Sequence, residues 1–119
     1  MTDTKPIRAI SIRQPYVEMI LQGMKKEEYR PIITHIRERV YIYASLKPGD
    51  ADNFAKIGAQ LGSLPTGVII GTVEITDCTT RKHPTKYKYV WKLKNPKRLK
   101  KPIKPELQSQ PTFFKPFND

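Results

Sequence analysis

The sequence is short of the residues from which disulfide frameworks, metal centres and membrane spans are built. One cysteine, Cys78, and two histidines, His35 and His83, occur in 119 residues. A single cysteine excludes an internal disulfide and is typical of a reducing, cytoplasmic setting. Two isolated histidines predict no metal site, and since the sequence has no phosphate-cradling glycine loop, we expect no other cofactor. No apolar run reaches the ~18 residues of a membrane-spanning helix, so we expect no membrane partner.

A second scarcity is local, because no acidic residue lies between positions 81 and 104. This segment, here the basic segment, holds eleven of the 22 lysines and arginines, and the other eleven match the eleven acids of the chain. The net charge of +11 therefore resides in the basic segment, which favours nucleic acid as the partner. A face kept for solubility, or one for an acidic protein, is the alternative. The candidates for contact with a nucleic-acid backbone are Lys86, Lys88, Lys92, Lys94, Lys97 and Arg98.

Short apolar segments separated by turn residues predict an α+β domain made mainly of strands. We expect one domain, residues 1–119, with a frayed N-terminus at 1–6. The predicted strands are 7–12, 27–31, 39–45, 67–76, 86–93 and 112–114. The proline-rich remainder after residue 93 is predicted as loop and edge. This pattern is typical of a small mixed or antiparallel β-barrel with two or so short helices.

Two brief helices are predicted between these strands. The first runs from Pro15 to Gly23, where the proline suits the first turn and the glycine suits the position just past the end. The second begins at Asp50 or Asp52 and ends at Gly62. Its apolar stripe consists of Phe54, Ile57 and Leu61.

The strand at 86–93 alternates strictly between two kinds of side chain. One face carries Tyr87, Tyr89, Trp91 and Leu93. The opposite face carries Lys86, Lys88, Val90 and Lys92. Basic residues interleaved with aromatic ones also occur on base-stacking surfaces, but alternation favours aromatic side chains packed in the core.

The stretch from 23 to 30 concentrates charge directly behind a glycine. If the turn at that glycine releases Lys25 from the strand, Lys25 lies near Glu28 and Arg30, which share one strand face. A cation and a carboxylate at close range each favour the ionised form of the other, which suits a polar binding site. A solvated strand with weak surface ion pairs is the alternative interpretation.

The strand at 67–76 contains a carboxylate, Glu74, and an interior glycine, Gly71. A glycine inside a strand predicts a bulge, a barrel corner or a close backbone approach. We also expect its missing side chain to leave room for a ligand beside Glu74.

Five segments in order resemble the ASCH domain family. They are S-I-R-Q-P-Y at 11–16, G-x-K-x-x-E-x-R at 23–30, R-V-Y-I-Y-A-S at 39–45, G-V-I-I-G-T-V-E at 67–74 and Y-V-W at 89–91. The resemblance implies a PUA-like β-barrel whose cleft is lined by the second motif. It also implies a role in binding RNA or a modified nucleotide.

The resemblance assigns expected roles to individual residues. Lys25 would supply a cation, Glu28 and Arg30 an acceptor and a planar donor fork, and Glu74 a facing carboxylate. Four residues near the rim would read a base edge or hold phosphate, or would serve only in turns and caps. These are Ser11, Arg13, Gln14 and Ser45.

A small hydrolase is the alternative function. Relatives that hydrolyse acylated cytidine carry lysine, threonine and glutamate at the motif, and here Lys25 and Glu74 match while Glu28 replaces the threonine. A carboxylate does not substitute for a hydroxyl nucleophile. An amidohydrolase on N-acylated cytidine would then use water, Glu74 or Glu28 as general base and Lys25 at the oxyanion. A ribonuclease would use Lys25 and Glu74 for proton transfer. The tail at 108–112 also lacks the glycine-rich sequence of many relatives.

Overall fold

One mixed sheet of six strands curls through the residues that the computed structural model describes, 5–82 and 86–118. Its strands are β1 (Ala9–Ile12), β2 (Glu27–Arg30), β3 (Arg39–Ala44), β4 (Val68–Thr80), β5 (Tyr89–Ile103) and β6 (Phe113–Phe114). Their order is β2-β5-β4-β3-β1-β6, with β1 and β3 parallel and the other neighbours antiparallel. The helices are α1 (Tyr16–Leu21) and α2 (Ala51–Ala55). The predicted α+β fold is confirmed, and the sheet forms a half-barrel.

The main core lies on one face of the sheet, here the inner face, under α1. Alternation along each strand sends every second side chain to this face, and β3, predicted to be central, is buried from Val40 to Ala44. The opposite, outer face carries a smaller cluster around Tyr41, Tyr43 and Phe114. The inner-face core includes Ile10, Ile12, Val17, Ile20, Val40, Ile42, Val73, Ile75, Trp91 and Leu93.

Side chains connect the β2–β5 end of the sheet with its β1–β6 end across the open side of the half-barrel. The Trp91 ring of β5 stacks on Phe113 of β6, with centroids 5.4 Å apart and planes 2° from parallel. Arg30 of β2 donates a hydrogen bond of 2.8 Å to the carbonyl oxygen of Ser11 in β1. These contacts bring β2 close to β1, although three strands, β5, β4 and β3, lie between them in the sheet.

The strand β5 is twice as long as the sequence predicts, so the prediction of loop after residue 93 is wrong as far as Ile103. It continues through Pro96 and pairs with β4 up to Ile103. Three register shifts interrupt this ladder, and Asn95 has a φ of 53°. Such irregularities accommodate proline, which donates no ladder hydrogen bond. The prediction that this part of the chain lies at an edge of the sheet is confirmed, because β2 pairs only with Tyr89 to Lys92 and leaves the rest of β5 with β4 as its one neighbour among the described strands.

Other boundaries differ from the predicted ones by smaller amounts. The strand β1 begins at Ala9 rather than at 7, and β4 continues to Thr80 rather than ending at 76. The helix α2 ends seven residues before the predicted end. The Ala59 N–H bonds the Phe54 carbonyl oxygen at 3.0 Å, and this bond closes a turn that ends the helix. The expected stripe is correspondingly shorter, since Leu61 is 55% exposed. The predicted fraying at 1–6 falls mainly on 1–4, outside the described residues.

Gly71 lies where two strands approach each other closely, which is one of the three alternatives predicted for it. A Cβ at this position would lie 2.8 Å from the Leu21 side chain and closer still to the Lys97 carbonyl oxygen of β5. The register also shifts between Ile69 and Gly71. The expectation that this glycine leaves room for a ligand is wrong, because the β5 backbone and α1 fill the space.

Candidate functional site

The end of α1 determines where Lys25 lies. Gly23 has a φ of +80° and follows the C-cap residue, a conformation that glycine adopts at little cost. Its N–H bonds the Ile20 carbonyl oxygen at 3.1 Å, and the Met24 N–H bonds that of Met19 at 2.9 Å. This pair of bonds is the Schellman arrangement. The predicted role of Gly23 as the turn that delivers Lys25 is confirmed.

Three charged side chains of the motif form one connected cluster. The Lys25 Nζ lies 3.5 Å from Glu28 Oε1, and Arg30 contacts Glu28 Oε2 through Nη2 at 2.7 Å and Nε at 2.9 Å. The side chains of Lys25, Glu28 and Arg30 are 19%, 12% and 16% exposed. The carboxylate therefore lies between two cations in a partly desolvated setting, where such interactions are less screened than at the surface.

Strand register places Glu28 and Arg30 on the inner face. Glu28 pairs with Trp91 of β5 and Arg30 pairs with Tyr89, and side chains at paired positions of antiparallel strands share a face. The Arg30 guanidinium carbon also lies 5.3 Å from the centroid of the buried Trp91 ring, within the range of a cation–π contact. Arg30 is thus fixed by Glu28, by the Ser11 carbonyl and by the indole.

A cavity of about 790 Å³, here the first cavity, opens beside this cluster. It lies where the parallel strands β1 and β3 end, since the residues that follow them, Arg13 and Ser45 to Lys47, contribute to its wall. Its charged lining consists of four basic and two acidic residues, so its net charge is positive. These six are Arg13, Lys25, Arg30, Lys47, Glu28 and Asp50.

Tyrosine rings flank Lys25 within the first cavity. The Nζ atom lies 5.8 Å from the Tyr16 centroid and 5.3 Å from that of Tyr29. The Arg81 guanidinium covers the Tyr29 ring at 4.5 Å. Tyr29 is exposed and Tyr16 is half-buried. Aromatic rings beside cations are the groups on which unpaired bases stack in single-stranded nucleic acid.

The C-terminal tail forms one side of the first cavity. Ser109, Gln110, Pro111 and Thr112 line it, and Ser11 fixes this segment through its Oγ on the Gln110 carbonyl oxygen at 2.7 Å. The Ser11 N–H bonds the Thr112 carbonyl oxygen at 2.9 Å. The tail therefore contributes to the cavity although its sequence departs from the glycine-rich pattern of many relatives.

The prediction that Glu74 faces Lys25 is wrong. Glu74 lies between Val73 and Ile75, which both point into the inner-face core, so its own side chain points to the outer face. There Arg39 Nη2 contacts its Oε1 at 3.1 Å and Asn95 Nδ2 its Oε2 at 3.3 Å. Glu74 does not line the first cavity.

Gln14 is a structural residue rather than a rim residue. Its side chain is completely buried, its Nε2 donates to the Pro65 carbonyl oxygen at 3.1 Å, and its Oε1 accepts from the Glu18 N–H at 3.3 Å. Both ends of the amide are therefore used within the protein. Of the other predicted rim residues, Ser11, Arg13 and Ser45 do line the first cavity.

The predicted backbone contacts of the basic segment divide into two groups. Lys86, Lys88, Lys94 and Lys97 are exposed. Lys92 pairs with Glu27, and Arg98 binds the buried Glu18 of α1 in a bidentate manner at 2.7 and 2.9 Å. The hydrogen bond from Lys92 lowers the pKa of Glu27, and the same bond raises the pKa of Lys92. The Glu18 carboxylate likewise raises the pKa of Arg98, so Arg98 anchors a helix.

Tyr87 and Lys47 are among the residues that line the first cavity and were missed as site residues. Tyr87, which alternation predicts in the core, is 40% exposed and lies before β5, so the strand pattern does not govern it. Lys47 follows Ser45 in the loop after β3. The sequence does indicate Lys47 as a site residue, because this lysine lies two positions after the predicted rim residue Ser45, just beyond the end of a central strand.

Two searches of the described residues returned nothing. No three histidine, cysteine, aspartate or glutamate side chains in 5–82 and 86–118 are grouped closely enough to hold a metal ion. Within the same ranges no helix is long and apolar enough to cross a membrane. His83 lies outside the described residues.

Comparison with known proteins identifies the family. No curated protein matches the chain. The sequence model of the ASCH domain, by contrast, matches residues 10–108, which contain the whole motif at 23–30 and the strands from β2 to β5. The half-barrel agrees with this match, because ASCH domains are PUA-like. Since the match covers most of its length, the chain belongs to the ASCH domain family.

Proposed function

We propose that this protein is a cytoplasmic RNA-binding protein that holds one nucleotide, standard or modified, in the first cavity. The ASCH domain family is associated with RNA binding. The observation that carries the proposal is the cluster of Lys25, Glu28 and Arg30 beside exposed tyrosine rings in a cavity of net positive charge. No membrane partner is part of this proposal.

Each member of the cluster has a distinct role in the proposed complex. Lys25 has three donors and one carboxylate contact, so its ammonium group has donors left for a phosphate or a base oxygen. Glu28 is an acceptor for amino groups on a base edge. Arg30 is occupied by Glu28 and the Ser11 carbonyl, so it positions the carboxylate. A base would stack on Tyr16, Tyr29 or Tyr87.

The basic segment supplies the second part of the proposed interface. The N-terminal end of the basic segment reaches the first cavity, since Arg81 covers the Tyr29 ring and Tyr87 lines the cavity wall. We assign contacts with the RNA backbone to the exposed lysines and not to Lys92 or Arg98, which hold carboxylates of the protein. The assigned residues are Lys86, Lys88 and Lys94.

The test is the affinity of short single-stranded RNA for the wild type and two variants, with DNA of the same sequence in parallel. Lys25→Ala should weaken binding by about tenfold or more, because it removes a charge-assisted contact. Lys100→Ala, on an exposed part of β5 outside the first cavity, is the matched control and should change affinity far less. Wild-type affinity should fall as salt rises from about 50 to about 200 mM. Equal losses in the two variants, or salt-independent binding, would contradict the proposal.

The hydrolase alternative has less support. Glu74 is on the outer face with Arg39, so the carboxylate that contacts Lys25 is Glu28, which Arg30 also holds. We therefore expect mass spectrometry of nucleosides and N-acylated cytidine incubated with the protein to find a retained nucleotide and no deacylated product. Deacylation by the wild type that Lys25→Ala abolishes would establish the hydrolase instead.

A further inference from the structure

A second cavity, of about 880 Å³, adjoins the first and is absent from the predictions made from the sequence. Tyr16, Lys25 and Tyr29 contribute to the walls of both cavities. The second cavity extends from these residues along the turn after α1 and along β5 from Lys92 to Pro96. Lys25 thus lies in a wall shared by two cavities of similar size.

The floor of the second cavity is apolar. It consists of Met19, Ile20, Val73 and Leu93, and at its edge Met24 is 56% exposed. An exposed methionine beside buried aliphatic residues offers a polarisable, adaptable surface to a flat ring. Apolar surface of this kind suits a base better than it suits a phosphate.

The rim of the second cavity is basic. Its acidic residue, Glu27, is neutralised by Lys92. Lys26, Lys56 and Lys94 are exposed, and within 5–82 and 86–118 no carboxylate lies within ion-pairing distance of any of them. Cations that lack a protein partner around an apolar floor are complementary to a ligand with a flat base and a charged backbone.

We propose that the second cavity holds the nucleotide next to the one in the first cavity, so that the ligand is single-stranded RNA of at least two nucleotides. An RNA chain that passes from one cavity to the other crosses the wall that they share. This places the phosphate between its two nucleotides at Lys25. The neighbouring base lies on Met19 and Met24, and the next phosphate lies near Lys26 and Lys56. This inference rests on the proposed function, which requires only the first cavity.

Methionine methyl groups report directly on the second cavity. The chain contains three methionines, of which Met19 and Met24 line it. With methyl-¹³C-methionine protein, signals assigned by Met19→Leu and Met24→Leu are followed while the four 5′-mononucleotides and their dinucleotides are added. We expect dinucleotides to shift both signals and to bind about tenfold or more tightly than mononucleotides, which should leave both signals nearly unchanged. Dinucleotides that shift neither signal would overturn the inference.

A pair of charge-reversal variants provides the control. Lys26→Glu with Lys56→Glu should remove the advantage of a dinucleotide over a mononucleotide and leave mononucleotide affinity unchanged. Lys100→Glu with Lys101→Glu makes the same charge change on exposed residues outside both cavities and should keep that advantage. If both double variants lost this advantage equally, the change in the net charge of the protein would explain the loss, and the inference would be overturned.

The outcomes separate this inference from the proposed function. If mononucleotides bind but dinucleotides bind no more tightly, the second-cavity inference alone fails. If neither binds the wild type, both proposals fail. If a hexaglutamate peptide shifts the Met19 and Met24 signals and dinucleotides do not, the second cavity binds an acidic protein segment and the RNA assignment is wrong.

Discussion

Glu28 and Glu74 are both glutamates held by an arginine on strands of one sheet, and they differ in the face they occupy. Glu28 points to the inner face at a cavity and is 12% exposed, whereas Glu74 points to the outer face and is 39% exposed. Arg30 and Arg39 hold them at similar distances, 2.7 and 3.1 Å. An ion pair therefore has no functional meaning by itself. Its position relative to a cavity and its desolvation decide what it can bind.

The largest expected effect separates the two arginines. Arg30→Ala should weaken RNA binding by about tenfold or more, because Glu28 Oε2 loses both of its arginine contacts and β2 loses its bond to the Ser11 carbonyl. Arg39→Ala deletes the matched arginine on the outer face, and RNA affinity should stay within about twofold, as for other surface substitutions. Titrations of labelled RNA into both variants measure this difference. Comparable losses would remove the distinction between the faces.

An effect on stability rather than on RNA affinity concerns a carboxylate that is buried and lies outside the first cavity. The Glu18 side chain is 9% exposed, and Arg98→Ala leaves this charge without its bidentate partner. The free energy of unfolding should fall by about 2 kcal/mol, as for a buried charged group that loses its hydrogen bonds. Urea denaturation measures the change, with Lys100→Ala as a control on the same strand. A variant as stable as this control would show that Arg98 does not anchor α1.

The smallest effect concerns Glu27, the neighbour of Glu28 that pairs with Lys92. The hydrogen bond from Lys92 lowers the Glu27 pKa below its ordinary value of 4.5. A carboxyl group whose pKa is lower in the folded state stabilises the protein above its unfolded pKa, and this contribution is lost as the pH falls through the folded pKa. Glu27→Gln should therefore lower the Tm slightly at about pH 7, and this difference should shrink as the pH falls toward about 2, because the wild-type Glu27 carboxyl group becomes protonated as the pH passes its folded pKa. A Tm difference that is the same at both pH values would contradict this assignment.

Much of the fold follows from local patterns in the sequence. The positions of β2, β3 and the helix before Gly23 follow from alternation, helical spacing and the glycine that ends α1. The length of β5 does not, because prolines normally end strands, and only the bulged pairing with β4 accommodates them. That pairing involves residues distant in sequence, which local patterns do not encode.

The site shows the same division. The grouping of Lys25, Glu28 and Arg30 depends on one turn and one strand, and local spacing was sufficient to predict it. The face of Glu74 depends on which neighbours enter the core, and a strand with Val73 and Ile75 on either side already indicates the outer face. The burial of Gln14 depends on a loop 51 residues away, through the Pro65 carbonyl. No local signal reveals such a contact.

The most direct test of the central claim is ultraviolet crosslinking of short single-stranded RNA to the wild-type protein, with the attached residues located by mass spectrometry. The account predicts crosslinks at the tyrosines of the first cavity, Tyr16, Tyr29 or Tyr87, and their loss in Lys25→Ala. Crosslinks confined to the outer face around Arg39 and Glu74, and unchanged in Lys25→Ala, would contradict it.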